Sequence, residues 1–190
     1  MPVRILLLFL LFGLAANRAS GGEADIVVAV REVGEGFVAE ASIRAPVRPQ
    51  TAWEVLVDYD HMTSIMSNLS ASRIASRKDN ILIVTQQGVA RFGLFSYPFQ
   101  VEREIRLEPK QRIVTRNLSG SMKRMESEVR LIPAADGHTV RIEYHAEFVF
   151  GSVLAGLFGL SFLRHEVEEQ FIAMIAEMKR RDATMISGAP

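Results

Sequence analysis

The chain has no cysteine among its 190 residues. That excludes a disulfide scaffold, a thiolate zinc site, a cysteine nucleophile and a cysteine-held iron–sulfur cluster. It also lacks an excess of charge of either sign: 22 basic and 22 acidic side chains sum to a formal zero. A protein that grips nucleic acid through bulk electrostatics needs a basic surplus, so no nucleic-acid partner is expected. No apolar run reaches the roughly 20 residues that a spanning helix needs. What the chain does have is an apolar fraction of 48%, too high for a disordered polymer. Its length suits one domain with a core of its own.

The apolar surplus is unevenly spread. Arg4 is followed by an almost purely apolar stretch, Ile5 to Leu14, and then by small residues, Ala15, Ala16, Ala19, Ser20, Gly21 and Gly22. A basic start, a short apolar core and a small-residue exit predict a secretory signal peptide over residues 1–21. The cleavage point stays open, because Gly13-Leu14-Ala15 and Ala19-Ser20-Gly21 both fit a small-x-small rule. The expected location is secreted or periplasmic, or membrane-anchored if the leader is retained. Loss of residues 1–21 removes Arg4 and Arg18 and no acid, leaving 20 basic and 22 acidic residues and a net charge of −2. A cysteine-free chain is compatible with an oxidising compartment.

From Asp25 the pattern alternates with period two. Ile26, Val28 and Val30 form one face of a strand; after Gly34-Glu35-Gly36, Phe37, Ala39, Ala41 and Ile43 form another. Pro46 and Pro49 end this region. Gln50–Asp58 reads as a helix with Ala52, Trp53, Leu56 and Val57 on its apolar face, and His61–Met66 as a second short helix. Six strand-like runs follow: 69–76, 81–91, 94–107, 113–118, 122–132 and 139–150. Turn chemistry separates them, at Lys78-Asp79-Asn80, Glu108-Pro109-Lys110 and Ala135-Asp136-Gly137 among others. Short connections predict an antiparallel meander. Leu160, Leu163, Val167, Phe171, Met174, Ile175 and Met178 then recur at helical spacing, closing on Lys179-Arg180-Arg181. The fold class is α+β: a curved antiparallel sheet wrapped around a long C-terminal helix, with two short helices after the first strand. Residues 24–182 form the domain and 183–190 a flexible tail.

The segments Ile43-Arg44-Ala45-Pro46, Ala52-Trp53-Glu54-Val55-Leu56 and Asp58-Tyr59, with the later Gly93-Leu94-Phe95-Ser96-Tyr97-Pro98-Phe99 and the amphipathic last helix, resemble the START-like (SRPBCC) superfamily. The resemblance is nearest to its coenzyme Q-binding and polyketide cyclase/dehydrase-like branch and spans residues 37–181. One departure is Thr63-Ser64-Ile65-Met66, where relatives often carry a proline. The resemblance implies a helix-grip fold with a hydrophobic cavity between sheet and long helix. It does not fix the ligand, because function lives in the site and not in the fold.

On that reading the cavity is lined by Phe95, Tyr97, Phe99, Val129, Tyr144, Phe148, Leu163 and Val167. Arg103 shares the parity of Phe99, Val101 and Ile105, so in register it points inward and needs an acceptor, either a carboxylate or a polar ligand head. The alternatives are a bulge that turns it out or a salt bridge at the rim. Phe148–Leu163 is a 16-residue run without charge. It reads either as strand end plus buried helix start, or as an apolar portal formed by Leu157 and Phe158 with Met62, Ile65 and Met66 as the opposite lip. His165 and Glu169 lie one helical turn apart but lack further ligands, so no metal and no cofactor is expected. Glu143, His145 and Glu147 share one strand face, opposite the apolar Ile142, Tyr144, Ala146 and Phe148, and point to solvent. No catalytic set is identifiable. The expected function is that of an exported, monomeric binding protein or carrier for a hydrophobic small molecule (quinone, isoprenoid or other lipid), with possible transient membrane contact. A polyketide cyclase/dehydratase-like enzyme and a protein-interaction module are the alternatives.

Overall fold

The computed structural model describes residues 24–92, 95–150 and 159–187, without the side chains of Phe92, Phe95, Ile186 and Ser187. The expected leader, the portal residues Leu157 and Phe158, and residues 188–190 lie outside the described residues, as does the side chain of Phe95. The strands are β1 Asp25–Val33, β2 Gly36–Ala45, β3 Leu69–Lys78, β4 Ile81–Phe92, β5 Phe95–Glu108, β6 Arg112–Gly120, β7 Met122–Pro133 and β8 Val140–Phe150. The helices are α1 Pro49–Leu56, α2 Met62–Ile65 and α3 Leu160–Ser187, with a single 3-10 turn at Tyr59–His61 before α2.

The strands form one antiparallel sheet in the order β1-β2-β8-β7-β6-β5-β4-β3. Strands β3 to β8 are the expected meander, and β8 returns to pair with β2, Ile142 opposite Ile43. One detail differs. The short helices follow the second strand, not the first, because Gly34, at φ +58°, folds β1 back on β2 as a hairpin. Period-two alternation puts Ala39, Ala41 and Ile43 of β2 and Ile142, Ala146 and Phe148 of β8 in the core, while Glu40, Arg44 and His145 face solvent.

Pro49 opens α1, where its missing N–H costs nothing. Trp53 is buried with Ala52, Val55 and Leu56 and serves the core. The 28 residues of α3 span about 42 Å and pack on β1, β2 and α1. Its buried stripe is Phe162, Leu163, Val167, Phe171, Met174, Ile175 and Met178. Leu160, expected on that stripe, is 40% exposed, since it starts the helix before the stripe reaches the sheet. The helix also continues to Ser187 instead of yielding to a tail at 183. Asp182 holds the last turns in place by accepting hydrogen bonds from Thr51 Oγ1 (2.6 Å) and Arg48 Nε (2.8 Å) of the α1 start. Arg181 adds an ion pair to Asp58 at 2.7 Å. Among the described residues, no helix is long and apolar enough to cross a membrane.

Candidate functional site

The sheet's concave face and α3 enclose a cavity of about 230 Å³. Of the residues expected to line it, Tyr97, Phe99, Arg103, Val129, Tyr144, Phe148, Leu163 and Val167 all do. They come from three strands (β5, β7 and β8) and the helix, and the strand residues meet because each is the inward residue of its own alternation. Tyr144 meets Phe171 edge-on, ring centroids 5.4 Å apart. Five of the eight methionines, Met62, Met66, Met122, Met125 and Met174, also line the cavity, giving a wall that adapts to shape. Met62 is 1% exposed and belongs to this wall, so it cannot form an outward-facing lip; the short helix turns it under the sheet. Ile65 is partly buried against the core, and Met66 lines the cavity.

Arg103 occupies the wall in the middle of β5. A bulge does lie beside it, between Glu102 and Arg103 in the β5–β6 ladder. The extra residue there is Leu118 of β6, which is exposed, while the β4–β5 register runs unbroken through Val84–Arg103 and Gln86–Val101. The bulge therefore turns Leu118 out and leaves Arg103 in. Among the described residues no carboxylate is within ion-pairing distance of Arg103, and its buried Nε has no hydrogen-bond partner. Two phenols share its surroundings. Burial pushes Tyr59 and Tyr144 well above the ordinary tyrosine range, against the pull of the Arg103 charge, so both stay neutral donors. Burial likewise lowers Arg103, and the two tyrosines partly restore it.

Several polar residues on the wall go beyond those the sequence pattern identifies. All three tyrosines of the chain line the cavity, and Tyr59 could have been found on that ground: it follows the apolar α1 face directly. Gln86 is held by Ser72 (3.1 Å), which itself donates to the Tyr59 carbonyl (2.5 Å). Glu166 lies one residue before Val167 on the inner edge of α3, a position its spacing from Leu163 and Gln170 reveals. Burial raises its carboxyl above the usual range, with His165 and the Asn68 amide (3.5 Å) pulling it back and Glu169 pushing it further up. Gly88 seats this side of the cavity. A Cβ there would stand 2.2 Å from the Asn68 carbonyl oxygen and 2.8 Å from the Phe99 ring.

Elsewhere the candidate chemistry is dispersed. Glu143, His145 and Glu147 point away from the cavity on the convex face, where His145 pairs with Glu40 (3.5 Å) and Glu147 (3.7 Å). His165 and Glu169 are exposed on α3. Among the described residues no three His, Cys, Asp or Glu side chains are grouped to hold a metal.

Residues 37–181 of the chain match a known family model, described as polyketide cyclase / dehydrase and lipid transport. The chain belongs to that family. Solved structures of the same fold include the Zhui aromatase/cyclase of Streptomyces sp. R1128, at 18% identity and TM-score 0.61, covering 84% of this chain and 96% of that one. A STAR-related lipid transfer protein of Xanthomonas axonopodis has 17% identity and TM-score 0.59, with 81% and 93% covered. A START superfamily protein of Mycobacterium smegmatis has 8% identity and TM-score 0.62, with 75% and 97% covered. At these identities the likeness establishes the helix-grip fold alone. No curated protein matches the chain.

Proposed function

We propose that this family member is an exported carrier that holds a hydrophobic small molecule, of quinone, isoprenoid or other lipid type, between the sheet and α3. The observation that carries the reading is the cavity of about 230 Å³ with apolar walls. It lies just below the ~300–1,000 Å³ typical of ligand pockets and well above the ~150 Å³ that suffices for benzene. Burial of apolar ligand surface contributes about 25 cal/mol per Å², and methionine side chains let the wall follow the ligand's outline. Export is supported by the basic, apolar and small-residue order of residues 1–21. With a net charge of −2 after loss of the leader, contact with a membrane is apolar and brief, without an electrostatic grip on anionic lipid.

Native mass spectrometry of gently purified protein tests the carrier role. A co-purified apolar molecule, or uptake of an added quinone or lipid, is expected; repeated preparations with neither count against it. The amino-terminal sequence of the mature protein, with its compartment, tests export. One observation favours a second reading, a cyclase-like enzyme: Tyr144 and Arg103 share the cavity wall, and the Arg103 charge acts on the neutral Tyr144 phenol. Turnover of a polyketide-like substrate that disappears in Tyr144→Phe would select it.

A further inference from the structure

Arg103 carries a full positive charge into an apolar cavity, and no carboxylate answers it among the described residues. A buried charge of this kind is tolerated only where something compensates it. The cross-strand neighbour Asn117 offers a buried, unpartnered Oδ1, its amide nitrogen being committed to the Met122 carbonyl at 3.2 Å. That oxygen is neutral and can accept from one N–H of a guanidinium that has five. The same wall supplies donors: the Tyr59 and Tyr144 hydroxyls, which lie within electrostatic reach of Arg103, and elsewhere on the wall the Thr115 and Ser127 hydroxyls. Neither phenol makes a side-chain hydrogen bond among the described residues.

A cation flanked by two phenol donors suits an acceptor-rich, negatively charged group. We infer that the ligand is an amphipathic organic acid, bound with its carboxylate inward on Arg103, Tyr59 and Tyr144 and its apolar body against Phe99, Phe148 and Phe171. The acid on the wall, Glu166, belongs to α3 and is engaged with Asn68, so it repels a carboxylate from its own side and favours this orientation. A guanidinium meets a carboxylate through two parallel N–H···O bonds, which a neutral isostere cannot match in charge. The cavity volume suits one or two fused rings. The inference rests on the carrier reading and narrows it from apolar molecules in general to acids.

The test uses 2-naphthoate and its neutral isostere 2-naphthamide, titrated calorimetrically at pH 7.5 into delipidated full-length protein. The neutral dye N-phenyl-1-naphthylamine serves as a fluorescent reporter of apolar binding alone. Naphthoate is expected to bind at least about 10-fold more tightly than naphthamide, one tenfold step being 1.4 kcal/mol. Arg103→Met should erase the difference while leaving the dye bound, and Arg103→Lys should keep part of it. Equal binding of acid and amide in the wild type overturns the inference, as does a preference that survives in Arg103→Met. Dye binding without naphthoate binding overturns it and leaves the carrier reading standing; no binding of dye, acid or amide overturns both.

Discussion

Replacing Arg103 by methionine should make the ligand-free protein more stable. The reasoning is local. The Nε of Arg103 is buried without a hydrogen-bond partner, and burial disfavours its charge. A buried donor left unmade costs about 1–3 kcal/mol. The far end of the guanidinium reaches the cavity, where residual solvent offsets part of this, so the lower half of the range applies. Methionine keeps the unbranched apolar stem, fills the space and removes the charge. The expected gain is about 1–2 kcal/mol. In a chain of this size 1 kcal/mol moves Tm by about 2–4 °C, so the shift is upward by about 2–8 °C. Differential scanning calorimetry of delipidated protein at pH 7 measures it. Arg106→Met is the control: Arg106 is exposed, pairs with Glu104 at 2.9 Å, and should change little. An unchanged or lower Tm for Arg103→Met would mean that the folded protein already satisfies this cation, and the argument for a charged ligand would lose its basis. A gain in stability together with loss of binding is the trade expected at a functional site.

Other outcomes follow from the same geometry. Glu166 has its carboxyl raised by burial, so the folded state favours the protonated form; stability is greatest below the unfolded value near 4.5 and falls as pH rises through the folded value. Glu166→Gln should therefore raise Tm at pH 7 and remove the part of the fall in Tm that sets in as pH rises above about 4.5. Asp182 behaves oppositely. Burial works to raise it, but hydrogen bonds from Thr51 and Arg48 outweigh that and hold it low. Its contribution is complete above about pH 4 and is lost as pH falls below; Asp182→Asn should cost about 1–3 kcal/mol at pH 7 by chemical denaturation and weaken the acid transition. Gly88→Ala should cost about 1–3 kcal/mol, because the new methyl must displace the Asn68 backbone; a wild-type denaturation midpoint would show that the 66–68 segment is freer than its packing indicates.

The strands were legible because one face of each is buried, and a period of two reports that directly: the inward set Tyr97, Phe99, Val101, Arg103 and Ile105 needs only parity. The same rule located Tyr144 and Phe148. What parity cannot supply is a helix's rotation or a turn's path. Met62 reads as a lip in the sequence but is wall in the structure, because four residues of α2 carry too little periodicity to say which way they face. Glu166 is hidden in the sequence because an acid at the border of an apolar stripe reads as solvated until the opposite wall is known. Leu118 shows a third limit. Its bulge depends on how two strands of unequal path length are matched, which neither strand encodes alone.

The two ends of α3 are held by unlike forces. At its C-terminal end, Asp182 and Arg181 tie it to α1 and Asp58 through short polar bonds. At its N-terminal end, Phe162 and Leu163 rest on Phe37 and the rings around it. Polar bonds are directional and give way abruptly; apolar contact is non-directional and lets side chains slide and repack. The helix is therefore a lever with a fixed fulcrum and a compliant arm, about 42 Å from end to end. A tilt of only a few degrees about Thr51 and Asp182 is magnified along its length, so small accommodations at the fulcrum become ångström-scale changes in the room beneath the aromatic end.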